Sequence, residues 1–170
     1  YFKKNIKIYP NKNSIKIITL ARLDKSKNIP LELTLFQIIN ELNKFDMKLD
    51  IFGDNLENSE IKKYFKVFPK WLNVKNGINI NPEFFDQYDY YISCSLWEGQ
   101  SNSIHEAASR GLHIITTKNG DSDIVAKSCE GTILKDNYIE QIVETFKKHS
   151  EIINRKEIRQ KKYIDFYKTL

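Results

Sequence analysis

The sequence is poor in the residues that announce a metal module, a disulfide scaffold or a membrane protein. Its 170 residues include two cysteines, Cys94 and Cys129, whose spacing matches no metal-ligand pattern. Cys94 falls within an apolar run and reads as a small core residue, so a reducing, cytoplasmic setting follows. No apolar run approaches the length of a membrane span. The opening Tyr1-Phe2-Lys3-Lys4 lacks the form of a signal peptide, and without an initial Met an excerpt of a longer protein is expected. Internal repeats and low-complexity tracts are also missing. No Gly-x-Gly-x-x-Gly follows any apolar run, which disfavours a dinucleotide-binding domain.

What is present is an ordinary globular composition with a net charge of +5, supplied mostly by lysines spread along the chain. Such a balance favours anionic partners such as phosphates or an acidic membrane face. Nucleic acid is not expected, because no single cluster interleaves basic and aromatic residues in the manner of a nucleic-acid groove. Runs rich in β-branched and aromatic residues at 15–20, 47–52, 71–75, 88–94, 113–117 and 131–134 read as strands. Helical patterns fill the intervals at 30–44, 58–68, 81–87, 103–110 and around Ile124, and two amphipathic, lysine-rich helices follow at 138–149 and 151–167. This alternation predicts an α/β fold: one doubly wound, Rossmann-like domain over residues 15–170 with a six-stranded, mostly parallel sheet. Residues 1–14 read as a linker or edge element.

The chain is organised around residues 93–111. An apolar strand feeds a loop of small and polar residues, and from Asn102 the apolar positions Ile104, Ala107 and Ala108 recur at helical spacing up to Gly111, a natural stop. Glu98 in the loop and Glu106 in the helix stand eight positions apart. On one continuous helix that spacing is about 12 Å of rise, too far to share a proton or a metal but suited to the two ends of a long ligand. Glu106 lies away from the apolar stripe, facing water or a cleft. Ser103-x-x-Glu106 also fits a capping box, in which the carboxylate would do no chemistry.

Strand ends in an open parallel sheet collect on one edge, where ligands sit. That edge gathers Arg22 and Lys27 after the first strand, Gly53 and Asp54 after the second, Asn76-Gly77-Ile78 after the third, and the Glu98–Glu106 segment after the fourth. Two cations and two separated carboxylates around a helix N-terminus suit a ligand with a phosphate centre and hydroxyl-bearing ends. A nucleoside-diphosphate sugar has that form.

These residues reach a family. Arg22-Leu23-Asp24-Lys25-Ser26-Lys27 resembles the Gly-Arg-Leu-x-x-x-Lys-Gly loop of GT-B glycosyltransferases, and Glu98-Gly99 through Asn102 to Glu106-Ala107 resembles their Glu-x7-Glu motif. Ile51-Phe52-Gly53-Asp54 is similar to the family's Val-Gly-x-Gly turn, and His113-Ile114-Ile115-Thr116-Thr117 to its Pro-Val-Ile-x-Thr strand. The group in question is the retaining glycosyl transferases group 1, also called family 4, and the likeness covers residues 15–135. It implies the C-terminal, donor-binding half of a two-domain enzyme. By resemblance, Arg22 and Lys27 bind the donor pyrophosphate and stabilise it as leaving group, with no metal and no cofactor. Glu98, with the backbone of Gly99, Gln100 and Ser101, touches the donor sugar. Glu106 accepts from the ribose hydroxyls, Asn76, Gly77 and Ile78 lie by the base, and Gly53 and Asn102 are further substrate-binding positions.

The departures are specific. Ala21 and Asn28 replace the flanking glycines, Lys25 competes with Lys27, Gln100 and Ser101 replace the usual Phe-Gly or Leu-Pro, and Ser122-Asp123 stands where Pro-Glu is usual. His105 has no orienting partner in the pattern and is given no catalytic part. The expected partners are a nucleotide-sugar donor (UDP-, GDP- or ADP-linked) and a glycan or lipid-linked acceptor reached through an N-terminal domain that this chain lacks. The implied pathway is surface polysaccharide, lipopolysaccharide or glycolipid synthesis, at the inner face of the membrane. The basic terminal helices read as solvated surface first and as a peripheral membrane contact second. The other readings are a nucleotide-sugar epimerase of similar fold and a non-catalytic nucleotide-sugar-binding module.

Overall fold

The computed structural model describes residues 14–22, 24–42, 44–54, 61–76 and 80–170. Six strands, β1 (Ser14–Leu20), β2 (Asp46–Gly53), β3 (Leu72–Asn76), β4 (Tyr90–Ser93), β5 (His113–Thr117) and β6 (Thr132–Leu134), form one sheet in the order β3-β2-β1-β4-β5-β6. Every neighbouring pair is parallel. The expected doubly wound sheet is therefore present; the central strand β4 is buried along its whole length, as a strand covered on both faces is, while β2 and β3 carry exposed polar residues at one end.

Side chains alternate across the sheet and split the interior in two. Ile17, Tyr90 and Ile92 point to one face, where α1 (Ile29–Glu41) and α5 (Tyr138–Lys147) contribute Leu33, Phe36, Ile39, Ile142 and Phe146. Ile18 and Tyr91 point to the other, against Ile104, Ala107 and Ala108 of α3 (Asn102–Ser109) and Val125 and Ala126 of α4 (Ser122–Ser128). The small alanines of α3 let the helix lie close to the sheet. Pro30 in the first turn of α1 is where proline costs a helix nothing. The helix α3 ends where Gly111 adopts φ 75°, and a Cβ there would meet the Lys156 carbonyl oxygen at 2.3 Å.

Strand order reverses between β1 and β4, since the chain leaves β1 for β2 and β3 and then returns to β1's other side. The loops after β1 and β4 thus start side by side and diverge, which opens a crevice at the carboxyl edge.

Several boundaries differ from the pattern. The second helix, α2, is a single turn, Ile61–Tyr64, with residues 55–60 outside the described set; α1 stops at Glu41 rather than Lys44. Residues 1–13 also lie outside it, so the linker or edge element expected at 1–14 falls outside the described residues except for Ser14, which opens β1. The C-terminal segment is three helices, α5, α6 (His149–Asn154) and α7 (Lys156–Tyr167), instead of two. The second break falls at Arg155, whose guanidinium gives two hydrogen bonds to Glu130, at 3.1 and 2.7 Å. The turn lays α7 across the protein and carries cations inside. Lys156 Nζ donates to the carbonyls of Asp86 and Tyr88 at 3.0 and 2.9 Å, Arg159 Nε to Gly111 at 3.1 Å, and Gln160 to Ser109 at 2.7 Å. Burial lowers the Lys156 ammonium to about 8. Part of the basic face read as surface is thus internal, because loop carbonyls replace water as its acceptors. No described helix is long and apolar enough to cross a membrane.

Beside this network Arg110 grips Asp86 through Nε and NH2, with both side chains buried. Removing one partner of such a pair strands a charge in low dielectric. Asp86→Ala should lower unfolding free energy by about 3–5 kcal/mol, read by urea denaturation.

Candidate functional site

The loop after β1 is shaped by Asp24, which accepts hydrogen bonds from the backbone N–H and hydroxyl of Ser26 and so caps a 3₁₀ turn over Lys25–Lys27. Asn28 follows in the left-handed region at φ 51°, a conformation asparagine tolerates and the place where a glycine is usual in the loop it resembles. The turn points Lys27 inward, its side chain 15% exposed, while Arg22 stays 77% exposed with its guanidinium 3.7 Å from Asp24. Lys25 stands on the exposed side of the turn and Lys27 lines the crevice, which separates the two candidates for an anion-binding lysine.

The loop after β4 meets this turn. Leu96 donates its backbone N–H to the Ser26 carbonyl at 2.7 Å, and the Lys27 ammonium is ion-paired with Glu98. Ser95 donates to the same carboxylate at 2.9 Å. A loop carboxylate is ordinarily solvated, but this one is 11% exposed. From the far side, Asn119 and Thr117 both donate to the Ser95 carbonyl, at 2.9 and 3.0 Å. Gly120, at φ 50°, packs so close that a Cβ would lie 2.4 Å from the carbonyl oxygens of both Glu98 and Gly99.

The helix α3 begins after Ser101 with no side-chain cap. The Ser103 hydroxyl is spent on Tyr91 at 2.7 Å and Ser101 at 3.2 Å, so the capping box does not form. The Glu106 carboxylate has no hydrogen-bond or ion-pair partner among the described residues, and burial raises its pKa.

These parts enclose one cavity of about 570 Å³, lined by Leu20, Ala21, Arg22, Lys27, Phe52, Gly53, Asp54, Ile80, Glu98, Gln100, Ser101, Asn102, Ser103 and Glu106. The sequence candidates Arg22, Lys27, Gly53, Glu98, Gln100, Ser101, Asn102 and Glu106 are brought together there. Asn76 is exposed at the end of β3 as the register partner of Gly53, and Gly99 faces outward between two lining residues; neither lines the cavity. Gly77 and Ile78 lie outside the described residues. Among the described residues no group of three or more His, Cys, Asp or Glu is placed to hold a metal.

Sequence reasoning missed four contributors. Phe52 and Ile80 supply apolar wall, and the strand-end position of Phe52 was the available signal. Gly120 had none, since its role is a close approach to a loop remote in sequence. Glu32 is a carboxylate between Leu31 and Leu33 on the buried side of α1, and that placement was legible. His105, taken to lack a partner, has two: its Nε2 meets Asp121 and its Nδ1 meets the Tyr163 hydroxyl, each at 2.7 Å. Those partners come from the residue just before α4 and from α7. A smaller groove of about 280 Å³ beside it shares Gln100, Asn102 and Glu106 with the main cavity.

The sequence profile of the family "Glycosyl transferases group 1" matches residues 2–164. The chain belongs to this family. This group 1 chain is 30% identical over 122 residues to an uncharacterised glycosyltransferase of Methanocaldococcus jannaschii, a match that takes in 67% of the chain and 29% of the relative. Among solved structures it is similar to TarM, with TM-score 0.74 and 17% identity over 95% of the chain and 34% of TarM. It is also similar to the pneumococcal O-GlcNAc transferase GtfA, solved with UDP and GlcNAc, with TM-score 0.66 and 18% identity over 95% of the chain and 37% of GtfA. These likenesses establish a GT-B glycosyltransferase fold. The chain spans about a third of the length of the proteins it matches.

Because the 94–100 loop rests on Gly120 at positive φ, Gly120→Ala should cost more than about 1 kcal/mol of stability. It should also shift the emission of Trp97, which is 64% exposed in that loop. Urea denaturation and fluorescence spectra test both.

Proposed function

We propose that the chain is the donor-binding domain of a glycosyltransferase that moves a sugar from a nucleoside-diphosphate sugar to a glycan or lipid-linked acceptor, with retention. What supports this is the convergence of Arg22, Lys27, Glu98, Glu106 and the N-terminus of α3 on one cavity at the sheet's switch point. Residue types match the parts of such a donor. An exposed guanidinium and an ammonium suit the diphosphate, with the first N–H groups of α3, which a helix leaves without internal acceptors. An unpartnered, half-buried carboxylate suits vicinal hydroxyls, as Glu106 would offer to the ribose. Phe52 and Ile80 give an apolar wall for the base.

In the reaction the diphosphate gains charge as the glycosidic bond breaks. Fixed cations placed where that charge grows lower the barrier, and here Arg22 and Lys27 take the place of a metal. The Lys27 ammonium carries three donors, and Glu98 occupies one, so the ion pair aims the ammonium while leaving hydrogens for phosphate oxygens. Glu98 then stands beside the transferred sugar. Acceptor binding and completion of the cleft fall to a second domain outside these 170 residues, so the chain alone should bind nucleotide weakly and turn over little. The protein carrying it is assigned to the cytoplasmic side of a membrane, in surface-glycan or glycolipid synthesis.

Calorimetry with UDP, GDP and the corresponding nucleosides tests the assignment. Lys27→Ala should weaken diphosphate binding about tenfold or more and leave nucleoside binding unchanged. Glu106→Ala should weaken both by a similar factor of about ten. Unchanged diphosphate affinity in both variants would overturn the donor-site reading. Product analysis of the full-length enzyme with UDP-, GDP- and ADP-sugars separates transfer from epimerisation and from mere binding.

A further inference from the structure

Glu32, on α1, is 1% exposed and lies beneath both loops of the donor cavity without lining it. Its two oxygens have different neighbours. Oε1 accepts the backbone N–H of Cys94 at 3.0 Å, and Oε2 lies 2.8 Å from Thr19 Oγ1. That same Thr19 hydroxyl lies 3.2 Å from the Ile92 carbonyl. Thr19 has one hydroxyl hydrogen and two oxygens facing it. With Glu32 ionised, one of the two contacts is left without a hydrogen, inside the protein and away from water. With Glu32 protonated both are satisfied: Glu32 donates to Thr19, Thr19 donates to Ile92, and Cys94 donates to the remaining carboxyl oxygen.

The place of this chain of bonds matters as much as its proton count. The β1–β4 register runs through Ile17–Tyr90 and Ile18–Tyr91, just short of Thr19. Beyond that point the strands part to form the crevice, and the Thr19–Glu32 relay continues the connection from β1 through α1 to the first residue of the loop that carries Glu98. We infer that Glu32 is a neutral carboxylic acid at physiological pH and a positioning residue, its proton completing a latch that holds the 94–98 loop against the β1 strand.

The surroundings agree. Burial pushes the Glu32 carboxyl up to about 8, offset in part by the bonds from Cys94 and Thr19, and no charged side chain is among the causes. The titratable groups within its electrostatic reach are the Cys94 thiol and, on the other face of the sheet, the Tyr91 phenol; burial and then, among other contributions, Glu32 raise both. Among the described residues no cation acts on it to hold a carboxylate there.

Linkage gives the sign. The folded group titrates near 8 and the unfolded one near 4.5, so folding takes up a proton between those values. This contribution to stability is complete below pH 4.5, falls as pH rises, and is gone above about pH 8. Glu32→Gln keeps the connectivity, since its amide donates to Thr19 and its carbonyl accepts from Cys94, and it cannot titrate. Glu32→Ala removes the latch.

The test compares the chain with both variants from pH 5 to 9. Urea denaturation should show stability declining with pH in the parent and a flatter profile in E32Q, with E32A weaker throughout. Acrylamide quenching should report loop release through the exposed Trp97, Trp71 being buried. It should rise between pH 7 and 9 in the parent, stay level in E32Q, and be high at every pH in E32A. UDP affinity should follow: within about twofold of the parent for E32Q at pH 7, and lowered about tenfold for E32A. Only this last arm rests on the donor-site reading. If UDP fails to bind any form, that reading fails while denaturation and quenching still decide the latch. An E32Q profile that declines with pH as the parent's does, or E32Q damage equal to that of E32A, would overturn the inference.

Discussion

The ion pair of Lys27 with Glu98 is the interaction on which the site depends. Its partners are 71 residues apart and leave the sheet on neighbouring strands whose loops would otherwise splay into solvent. A second tie, from the Leu96 N–H to the Ser26 carbonyl, makes the junction a backbone contact as well. Moving two charges out of water costs several kcal/mol per ion, and attraction alone repays this only with good supporting bonds. Glu98 has one such bond from Ser95, which is itself fixed through its carbonyl by Asn119 and Thr117. The charged pair is thus the innermost member of a small polar framework drawn from β1, β4 and β5.

That framework explains why the cavity can serve an anion although its lining is not strongly cationic. Arg22 and Lys27 are set against Asp54, Glu98 and Glu106 along the wall. Bulk attraction is weak in such a place. What it offers is direction: an ammonium aimed by its carboxylate partner, a guanidinium left at the rim, and the open end of a helix. Preorganised dipoles and charges of this kind act where charge develops without having to reorient.

Much of this was legible in the chain. The β-branched and aromatic runs marked all six strands because the middle of a parallel sheet, buried on both faces, needs such residues. The Glu98-to-Glu106 spacing marked the ligand edge because a strand, a loop and a short amphipathic helix follow one another there. What escaped depends on contacts between remote segments. Lys27 and Glu98 were assigned to different parts of a ligand, and nothing local says that they touch. Lys156 and Arg159 looked like surface because burial of a cation is decided by which carbonyls await it, here those of Asp86, Tyr88 and Gly111. The break at Arg155 has the same origin, in a carboxylate on the loop before β6. Glu32 was the exception, a charge-bearing residue in a buried helical stripe, and such a position signals a neutral or partnered acid.

His105 carries a mechanical consequence. With one ring nitrogen against Asp121 and the other against Tyr163, its imidazole is clamped between the start of α4 and the last helix. A side chain of α3 held from both sides resists rolling of the helix about its own axis. The neighbouring Glu106 therefore inherits a fixed bearing, and the chain's final element, though distant in sequence, acts as a stop against rotation of the rod that carries the carboxylate.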